Sequence, residues 1–172
     1  MLALARADAA ELRTETVDLV ALARELTRHW WPRAREAGID LGFDATPNGL
    51  STPAQPVLLQ EALGNLLHNA LRYSPPGSRV TVHVTQDGRD ALLTVQDDGP
   101  GLAADELERA SERFFRGRHA RPGGSGLGLA IARAVAERHG GSLALQPGPG
   151  GSGLAVSLRL PLAHHRANTG FP

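Results

Sequence analysis

Residues 52–73, TPAQPVLLQEALGNLLHNALRY, constrain the fold of this chain more than any other part of the sequence. At about 100° per residue, the alanine and leucine side chains cover one side of a helix. Four polar side chains fall within an arc of about 80° on the other side: Glu61, Asn65, Asn69 and Arg72. The pattern predicts a long helix with one face in the core and one face of unusual polar chemistry.

The start of this helix has its own signals. Thr52 is a favoured capping residue, Pro53 suits the first helical position, and Gln55 completes a capping box. We therefore expect the helix to begin directly after Thr52.

Two asparagines on one helical face, Asn65 and Asn69, indicate a function other than solubility. Asparagine is a poor helix former because its side chain competes for backbone hydrogen bonds. Solubility alone would favour Glu or Arg at these positions. The alternative is an ordinary amphipathic helix in which the two residues align by chance.

Helices and hairpins alternate along the rest of the chain. Asp18 suits the cap of a helix over 19–37 that ends at Gly38, and two further helices are predicted over 103–109 and 127–139. Alternating residues predict two hairpins, which pair 79–86 with 91–96 and 142–146 with 153–160. Residues 15–19 and 39–43 are expected to be extended, and 46–50 to be a turn-rich link into the central helix.

This order of elements contains hairpins rather than repeated βαβ units. It predicts a two-layer α/β sandwich. One mixed, largely antiparallel sheet of about five strands would carry three substantial helices on one face.

Charge and composition exclude several functions. The chain has 18 basic and 18 acidic residues and a formal net charge of +0, so no general field attracts nucleic acid or an anionic membrane. Because there is no cysteine, thiolate metal sites, thiol catalysis and disulfides are excluded. Every basic residue is Arg, which removes a P-loop, since that phosphate cradle needs a lysine. No apolar run approaches about 20 residues, so we expect a soluble chain without a membrane span or signal peptide.

A second motif, VQDDGPGL at residues 95–102, combines a carboxylate at a strand end with two glycines. Gly99 and Gly101 let the backbone bend close to a ligand while Asp97 accepts hydrogen bonds from it. An exocyclic amine such as that of adenine suits this acceptor. A plain turn is the alternative, because Asp-Gly and Pro-Gly pairs are common in turns.

A third motif, GGSGLGL at residues 123–129, is a glycine-rich loop that runs into a helix. Its N–H groups and the positive end of the helix dipole make an anion site without any basic side chain, and a flexible connector is the alternative. A dinucleotide fingerprint is excluded because Leu129 or Ile131 stands where Gly or Ala is needed. A nucleophile elbow around Ser125 is excluded because Leu127 stands where Gly is needed.

Four segments, NLLHNALRYSPPG, DDGPG, ERFFR and GSGLGL, follow one another in this order. The set resembles the catalytic and ATP-binding domain of two-component sensor histidine kinases, within the ATPase superfamily that includes Hsp90, gyrase B and MutL. The resemblance implies the α/β sandwich known as the Bergerat fold. It also implies three regions: the end of a dimerisation and phosphoacceptor helix with its linker at 1–14, the catalytic domain at 15–163, and a flexible tail at 164–172.

The resemblance implies roles for the residues of the central helix and the second motif. Asn69, with Asn65 one turn earlier, would bind the Mg²⁺ that bridges the ATP phosphates. Arg72 would face the phosphates, and Tyr73 would flank the adenine. Asp97 would accept the adenine amino group.

The other implied ligands lie in the glycine motifs and in a lid between them. Gly99 and Gly101 would give the adenine ring room, and Phe114 and Phe115 would anchor the lid. The implied phosphate contacts are Arg116, Arg118 and Arg121 of the lid, and the loop residues Gly124, Ser125, Gly126, Leu127 and Gly128.

The phosphoacceptor is expected to lie outside this chain. None of the seven histidines stands in the setting that the family uses for it. His68 receives no catalytic role, because the proton acceptor in this family lies on another module. The resemblance therefore implies a domain that binds ATP and Mg²⁺ and delivers the γ-phosphoryl group to a His on a dimerisation domain, for relay to a response-regulator Asp.

The implied partners are ATP or ADP, the protein's own dimerisation domain and a cognate response regulator, with no nucleic acid. We expect the fragment to be a near-inactive monomer, and the complete protein to be a homodimer whose cytoplasmic portion this chain forms, beneath an inner-membrane sensor.

Two alternatives stay open. The first is a stand-alone ATPase or a serine-phosphorylating anti-sigma kinase of the same superfamily. Its hydrolytic members usually place Glu where Asn65 stands, which argues against efficient hydrolysis. The second is a docking module that responds to nucleotide without transferring phosphate. The presence of Asn69, Asp97 and all the loop glycines counts against it.

Overall fold

The computed structural model describes residues 13–46, 49–118 and 124–163. Its strands are β1 (Glu15–Asp18), β2 (Asp40–Ala45), β3 (Ser51–Ala54), β4 (Arg79–Asp87), β5 (Asp90–Asp97), β6 (Ser142–Pro147) and β7 (Leu154–Pro161). Its α-helices are α1 (Leu19–Glu36), α2 (Pro56–Tyr73), α3 (Ala104–Arg109) and α4 (Gly128–Arg138). Among the described residues, no helix combines the length and apolar character that crossing a membrane requires.

Five strands form one sheet in the order β2-β4-β5-β7-β6, and β1 and β3 form a separate small sheet. β2 runs parallel to β4, whereas the β4–β5, β5–β7 and β6–β7 pairs are antiparallel. The β4–β5 hairpin turns at Gly88, whose φ of 61° lies in the left-handed region that glycine adopts readily. The predicted mixed, largely antiparallel sheet is confirmed.

The core lies between this sheet and three helices. Val80, Val82 and Val84 of β4 are fully buried, and Leu93 and Val95 of β5 lie on the same inner face. Helix α1 contacts β2 and β4, α2 contacts β5, and α4 contacts β6 and β7. Each buried Val or Leu side chain contributes about 1.5–3 kcal/mol, so this layer is the main source of stability. The predicted two-layer sandwich with three helices on one face is confirmed.

The predicted start of the central helix is wrong. Thr52 and Pro53 lie in β3, and α2 begins at Pro56 after Gln55, whose side chain makes no capping hydrogen bond. Thr52 is fully buried, and its Oγ1 donates a 2.6 Å hydrogen bond to the carbonyl of Pro161 at the end of β7. Strand pairing over a long sequence distance therefore outweighs the local capping signal.

Other boundaries follow their local signals more closely. The Oδ1 atom of Asp18 accepts hydrogen bonds from the N–H groups of Val20 and Ala21 at 2.9 and 3.0 Å, which confirms the predicted cap of α1. The helix ends before Gly38, whose φ is 68°. Residues 47–48 of the predicted link at 46–50 lie outside the described residues, and Leu50 is followed by β3 and not by a helix. Of the expected helix end and linker at 1–14, residues 1–12 lie outside the described residues, and so does the expected tail at 164–172.

The C-terminal end of α4 is tied to the start of α2. The backbone N–H of Gln55 donates to Nε2 of His139 at 3.0 Å, so Nδ1 of this ring carries the proton and donates to the Val135 carbonyl at 2.7 Å. Nε of Arg138 donates to Oε1 of Gln55 at 3.1 Å. These bonds fix how α4 lies against α2, and with it the position of the first turn of α4.

Replacing Thr52 by valine keeps the shape of the side chain and removes its hydroxyl donor. We expect the free energy of unfolding to fall by about 1 kcal/mol, because the half-buried Pro161 carbonyl loses this hydrogen bond. Urea denaturation followed by circular dichroism measures the change. The matched control is Thr85→Val on the open face of the sheet, for which we expect a change below about 0.5 kcal/mol. Equal losses in the two variants would contradict the role given to Thr52.

Candidate functional site

A cavity of about 270 Å³ lies between the C-terminal half of α2, the end of β5 and the start of α4. It collects residues from all three sequence motifs and from the segment between the last two. The predicted site residues that line it are Asn65, Asn69, Arg72, Tyr73, Asp97, Gly101, Phe115, Arg116, Gly124, Ser125, Gly126 and Gly128. Motifs that are far apart in the sequence, from Asn65 to Gly128, thus meet in one place.

Other predicted site residues within the described ranges do not line this cavity: Gly99, Phe114, Arg118 and Leu127. Phe114 is 69% exposed. Nη2 of Arg118 donates a 2.7 Å hydrogen bond to Oδ2 of Asp105, so the guanidinium is directed to α3. Arg121 lies outside the described residues.

Asp97 is the buried acid of the cavity, with 9% of its surface exposed. Its Oδ1 accepts a 2.9 Å hydrogen bond from the backbone N–H of Gly99. Burial raises the pKa of the Asp97 carboxyl, backbone hydrogen bonds from Gly99 and Leu154 oppose this shift, and the charge of Asp98 adds to it. A carboxylate in such a poorly solvated place is a strong acceptor for a donor on a ligand.

Glycines allow the loops around Asp97 to pack backbone against backbone. Gly101 has a φ of 69°, and a side-chain carbon there would lie 2.5 Å from the carbonyl oxygen of Gly153. Gly153 has a φ of 78°, and a side-chain carbon there would lie 1.9 Å from the carbonyl oxygen of Asp97. Any larger residue at either position would push the two loops apart and open the buried end of the cavity.

The glycine-rich loop before α4 packs on the Phe-Phe segment. The backbone N–H of Phe114 donates to the Gly126 carbonyl at 3.0 Å, and a side-chain carbon at Gly126 would lie 2.7 Å from the carbonyl oxygen of Phe115. Phe114 itself has a φ of 63°, a conformation that costs a bulky residue energy. The loop and the segment therefore hold each other in place at the edge of the cavity.

The two asparagines of α2 face the first residue of α4. A side-chain carbon at Gly128 would lie 3.3 Å from Nδ2 of Asn69 and 3.5 Å from Oδ1 of Asn65. Nδ2 of Asn65 donates to the carbonyl of Glu61 at 3.0 Å, which leaves its Oδ1 available on the cavity side. The absence of a side chain at Gly128 thus keeps both amides open to a ligand.

These amides fit a hard cation in part. Amide oxygens are suitable ligands for Mg²⁺, which keeps several waters and completes its shell with phosphate oxygens. No group of three or more His, Asp or Glu side chains that could hold a metal ion occurs among the described residues. A cation at Asn65 and Asn69 would therefore depend on an anionic ligand in the same cavity.

Sequence reasoning missed the apolar walls of the cavity. They include Leu66, Ala70, Val95, Leu102, Leu154 and Val156. The alternating pattern places Leu154 and Val156 on the inner face of β7, but only the register of β7 on β5 sets them opposite Asp97 and Val95. His68 also lines the cavity, and its ring lies edge-on to Trp30 of α1 at a centroid distance of 6.3 Å. A cavity with apolar walls and a few convergent polar groups suits a flat ligand with polar edges.

Comparisons with known proteins point to one family. The model described as histidine kinase-, DNA gyrase B- and HSP90-like ATPase matches residues 54–164. The signal transduction histidine-protein kinase/phosphatase MprB of Mycobacterium ulcerans is 37% identical over 163 residues, which cover 92% of this chain and 31% of that protein. The chain therefore spans about a third of the length of this relative.

Two solved structures have the same architecture. The mycobacterial sensor histidine kinase MprB superposes with a TM-score of 0.76 and 35% identity, over 86% of this chain and 98% of that chain. Full-length ShkA in complex with AMPPNP superposes with a TM-score of 0.75 and 30% identity, over 91% of this chain and 33% of that chain.

The raised pKa of Asp97 has a consequence for stability. Because the folded state binds this proton more tightly than the unfolded state, stability falls as the pH rises from the ordinary aspartate range through the raised pKa. We expect Asp97→Asn, which removes the buried charge and keeps an oxygen acceptor for Gly99, to melt at or above the wild-type temperature near pH 7.

Thermal unfolding of both proteins between about pH 4 and pH 8 tests this expectation. The difference in melting temperature should shrink toward the acid end, where wild-type Asp97 is also neutral. A variant that is less stable than wild type at neutral pH and matches it only in acid would show that the ionised carboxylate stabilises the fold.

Proposed function

Since the chain belongs to the histidine kinase-, DNA gyrase B- and HSP90-like ATPase family, we propose that it is the catalytic, ATP-binding part of a sensor histidine kinase. The observation that carries the proposal is one cavity with a buried carboxylate at one end and a pair of asparagine amides facing a glycine-rich loop at the other. Such a cavity has separate binding regions for the adenine and for the phosphates of a nucleotide. We assign the catalytic domain to residues 15–163.

Asp97 accepts the hydrogen bond of the adenine amino group in this proposal. Its burial supports the assignment, because a hydrogen bond to a poorly solvated carboxylate is strong and selects a donor over an acceptor. The apolar side chains of Val95, Leu154 and Val156 contact the ring, and Tyr73 flanks it. The close backbone packing at Gly101 fixes the two loops that flank this end of the cavity.

The phosphates bind at the opposite end. Asn65 and Asn69 hold Mg²⁺ there, and the N–H groups at the start of α4 face the phosphate oxygens. Arg72 reaches the glycine-rich loop, since a side-chain carbon at Gly124 would lie 3.6 Å from its Nη2. A phosphate chain beside this contact would meet the positive charge of the guanidinium and the N–H groups at the start of α4 together. Gly99, Phe114, Leu127 and the lid arginines Arg118 and Arg121 remain predicted ligands.

The residues of the cavity position the reactants and neutralise charge. Bound ATP supplies the γ-phosphoryl group, and Mg²⁺ offsets its negative charge. Phosphoryl transfer depends on such placement and charge neutralisation more than on a nucleophile from the protein. The acceptor is a histidine on a dimerisation domain, which passes the group to an aspartate of a response regulator. The complete protein is a homodimer in this proposal, and this chain acts at the cytoplasmic side of a membrane sensor.

Binding of a nucleotide analogue tests the adenine assignment. We expect AMPPNP with Mg²⁺ to bind the wild-type chain saturably in isothermal titration, and Asp97→Asn to raise the Kd at least about tenfold through the lost charge-assisted hydrogen bond. Asp98→Asn is the matched control, because it removes the same charge from the next residue along the chain. The Asp98 side chain is exposed, and its Oδ1 accepts a 2.8 Å hydrogen bond from the Arg79 N–H. No binding by wild type at millimolar nucleotide would overturn the proposal.

A transfer assay tests the kinase activity. The chain is incubated with γ-labelled ATP, Mg²⁺ and a separately produced dimerisation domain that carries the acceptor histidine. We expect label on that histidine, and a loss of about 100-fold or more in Asn69→Ala, because metal-held charge neutralisation is worth several kcal/mol. Gln60→Ala, an exposed amide on the same helix, should keep the full rate. Release of free phosphate without labelling of the histidine would favour the stand-alone ATPase instead.

A further inference from the structure

Glu106 is a buried acid that does not line the cavity. Only 6% of its surface is exposed, and it lies in α3. Its Oε2 accepts a 2.9 Å hydrogen bond from the N–H of Ala103, and its Oε1 accepts a 2.6 Å hydrogen bond from the N–H of Arg118. Burying a carboxylate costs free energy that hydrogen bonds must offset. The Glu106 carboxylate therefore joins two backbone segments, because it accepts hydrogen bonds from Ala103 and from Arg118.

The bond to Arg118 holds the segment 116–118 against α3. Gly117 lies directly on the same carboxylate, since a side-chain carbon there would be 3.1 Å from Oε1 of Glu106 and 3.2 Å from Cδ2 of Leu102. Arg116 and Gly117 both line the cavity. Glu106 thus supports, from outside the cavity, the stretch of backbone that presents Arg116 to it.

Asp105, the neighbour of Glu106, forms an ion pair with Arg118. Asp105 binds the guanidinium of Arg118 at 2.7 Å, so this side chain is directed along α3 while Arg116 lines the cavity. Asp105 and Arg118 are 66% and 68% exposed, and an ion pair exposed to this degree contributes little. The buried Glu106 therefore provides the main attachment of the segment.

We propose that Glu106 is a positioning residue that sets the affinity of the site for the phosphate groups of a nucleotide through Arg116. This inference rests on the proposed function and adds that different parts of the fold support phosphate binding and adenine binding. The side chains assigned to the adenine lie on α2, β5 and β7, and none of them lies on α3. Loss of the Glu106 attachment should therefore weaken the contacts to phosphate and leave the contacts to the base unchanged.

The test compares two ligands on Glu106→Gln. A glutamine oxygen can accept one of the two N–H groups, and its NH₂ group faces the other donor. We expect the Kd for AMPPNP with Mg²⁺ to rise about tenfold, and the Kd for adenosine, measured by NMR titration, to change by less than about twofold. Arg116→Ala should weaken AMPPNP binding similarly, and the double variant should bind no worse than Arg116→Ala alone.

Two further variants serve as controls. Glu108→Gln removes the same charge from an exposed position of the same helix and should bind AMPPNP as wild type does. Glu106→Asp keeps the charge but withdraws the carboxylate from the Arg118 N–H, so it should show the same ligand-dependent loss, and thermal unfolding of each variant confirms that it is folded.

Three outcomes would overturn the inference while wild type still binds AMPPNP. They are an unchanged Kd for AMPPNP in Glu106→Gln, an equal rise in the Kd for adenosine, and a double variant in which the effect of Glu106→Gln adds in full to that of Arg116→Ala. Failure of wild type to bind AMPPNP would instead overturn the proposed function, and this inference with it.

Discussion

Backbone-to-backbone packing beside Asp97 is the constraint on which the cavity depends. The carbonyl of Asp97 touches Gly153, whose own carbonyl touches Gly101, and neither glycine leaves room for a side chain. This contact joins the loop after β5 to the start of β7 and buries the Asp97 carboxylate between them. The cost of that burial appears as a raised pKa. A strong, poorly solvated acceptor is obtained at the expense of local stability.

The two ends of the cavity are supported by different parts of the fold. The end at Asp97 is built on neighbouring strands of the main sheet, whose register is set by many backbone hydrogen bonds. The other end lies where α2, α4 and the segment around Arg116 meet. Among the described residues, the hydrogen bonds at that end include the Gln55–His139 bond between the helices, the bond from Phe114 to Gly126 and the Glu106 contacts behind Arg116. The second end is therefore held by contacts between helices and loops and not by strand register.

Much of the fold followed from local patterns in the sequence. The period of 3.6 residues showed both faces of α2, and the alternation of residues 79–97 showed a hairpin with one buried face. The capping prediction at Thr52 was wrong because the same residues pair with β1, and a pairing across 35 residues leaves no local mark. Leu154 and Val156 were missed as cavity residues for the same reason, as was the attachment of Arg118 to α3.

The sequence by itself determined which chemical groups are available and how neighbours along the chain are spaced. Asn65 and Asn69 fall one turn apart on any helix, and glycine at 101, 126 and 128 allows close approach wherever the chain brings a partner. Only the tertiary structure decided that these groups share one cavity, that Gly128 is the residue facing both amides, and that Glu106 lies behind Arg116. The physical reason is that contacts between distant residues depend on strand register and helix packing, which arise from the sum of many weak interactions and not from any one motif.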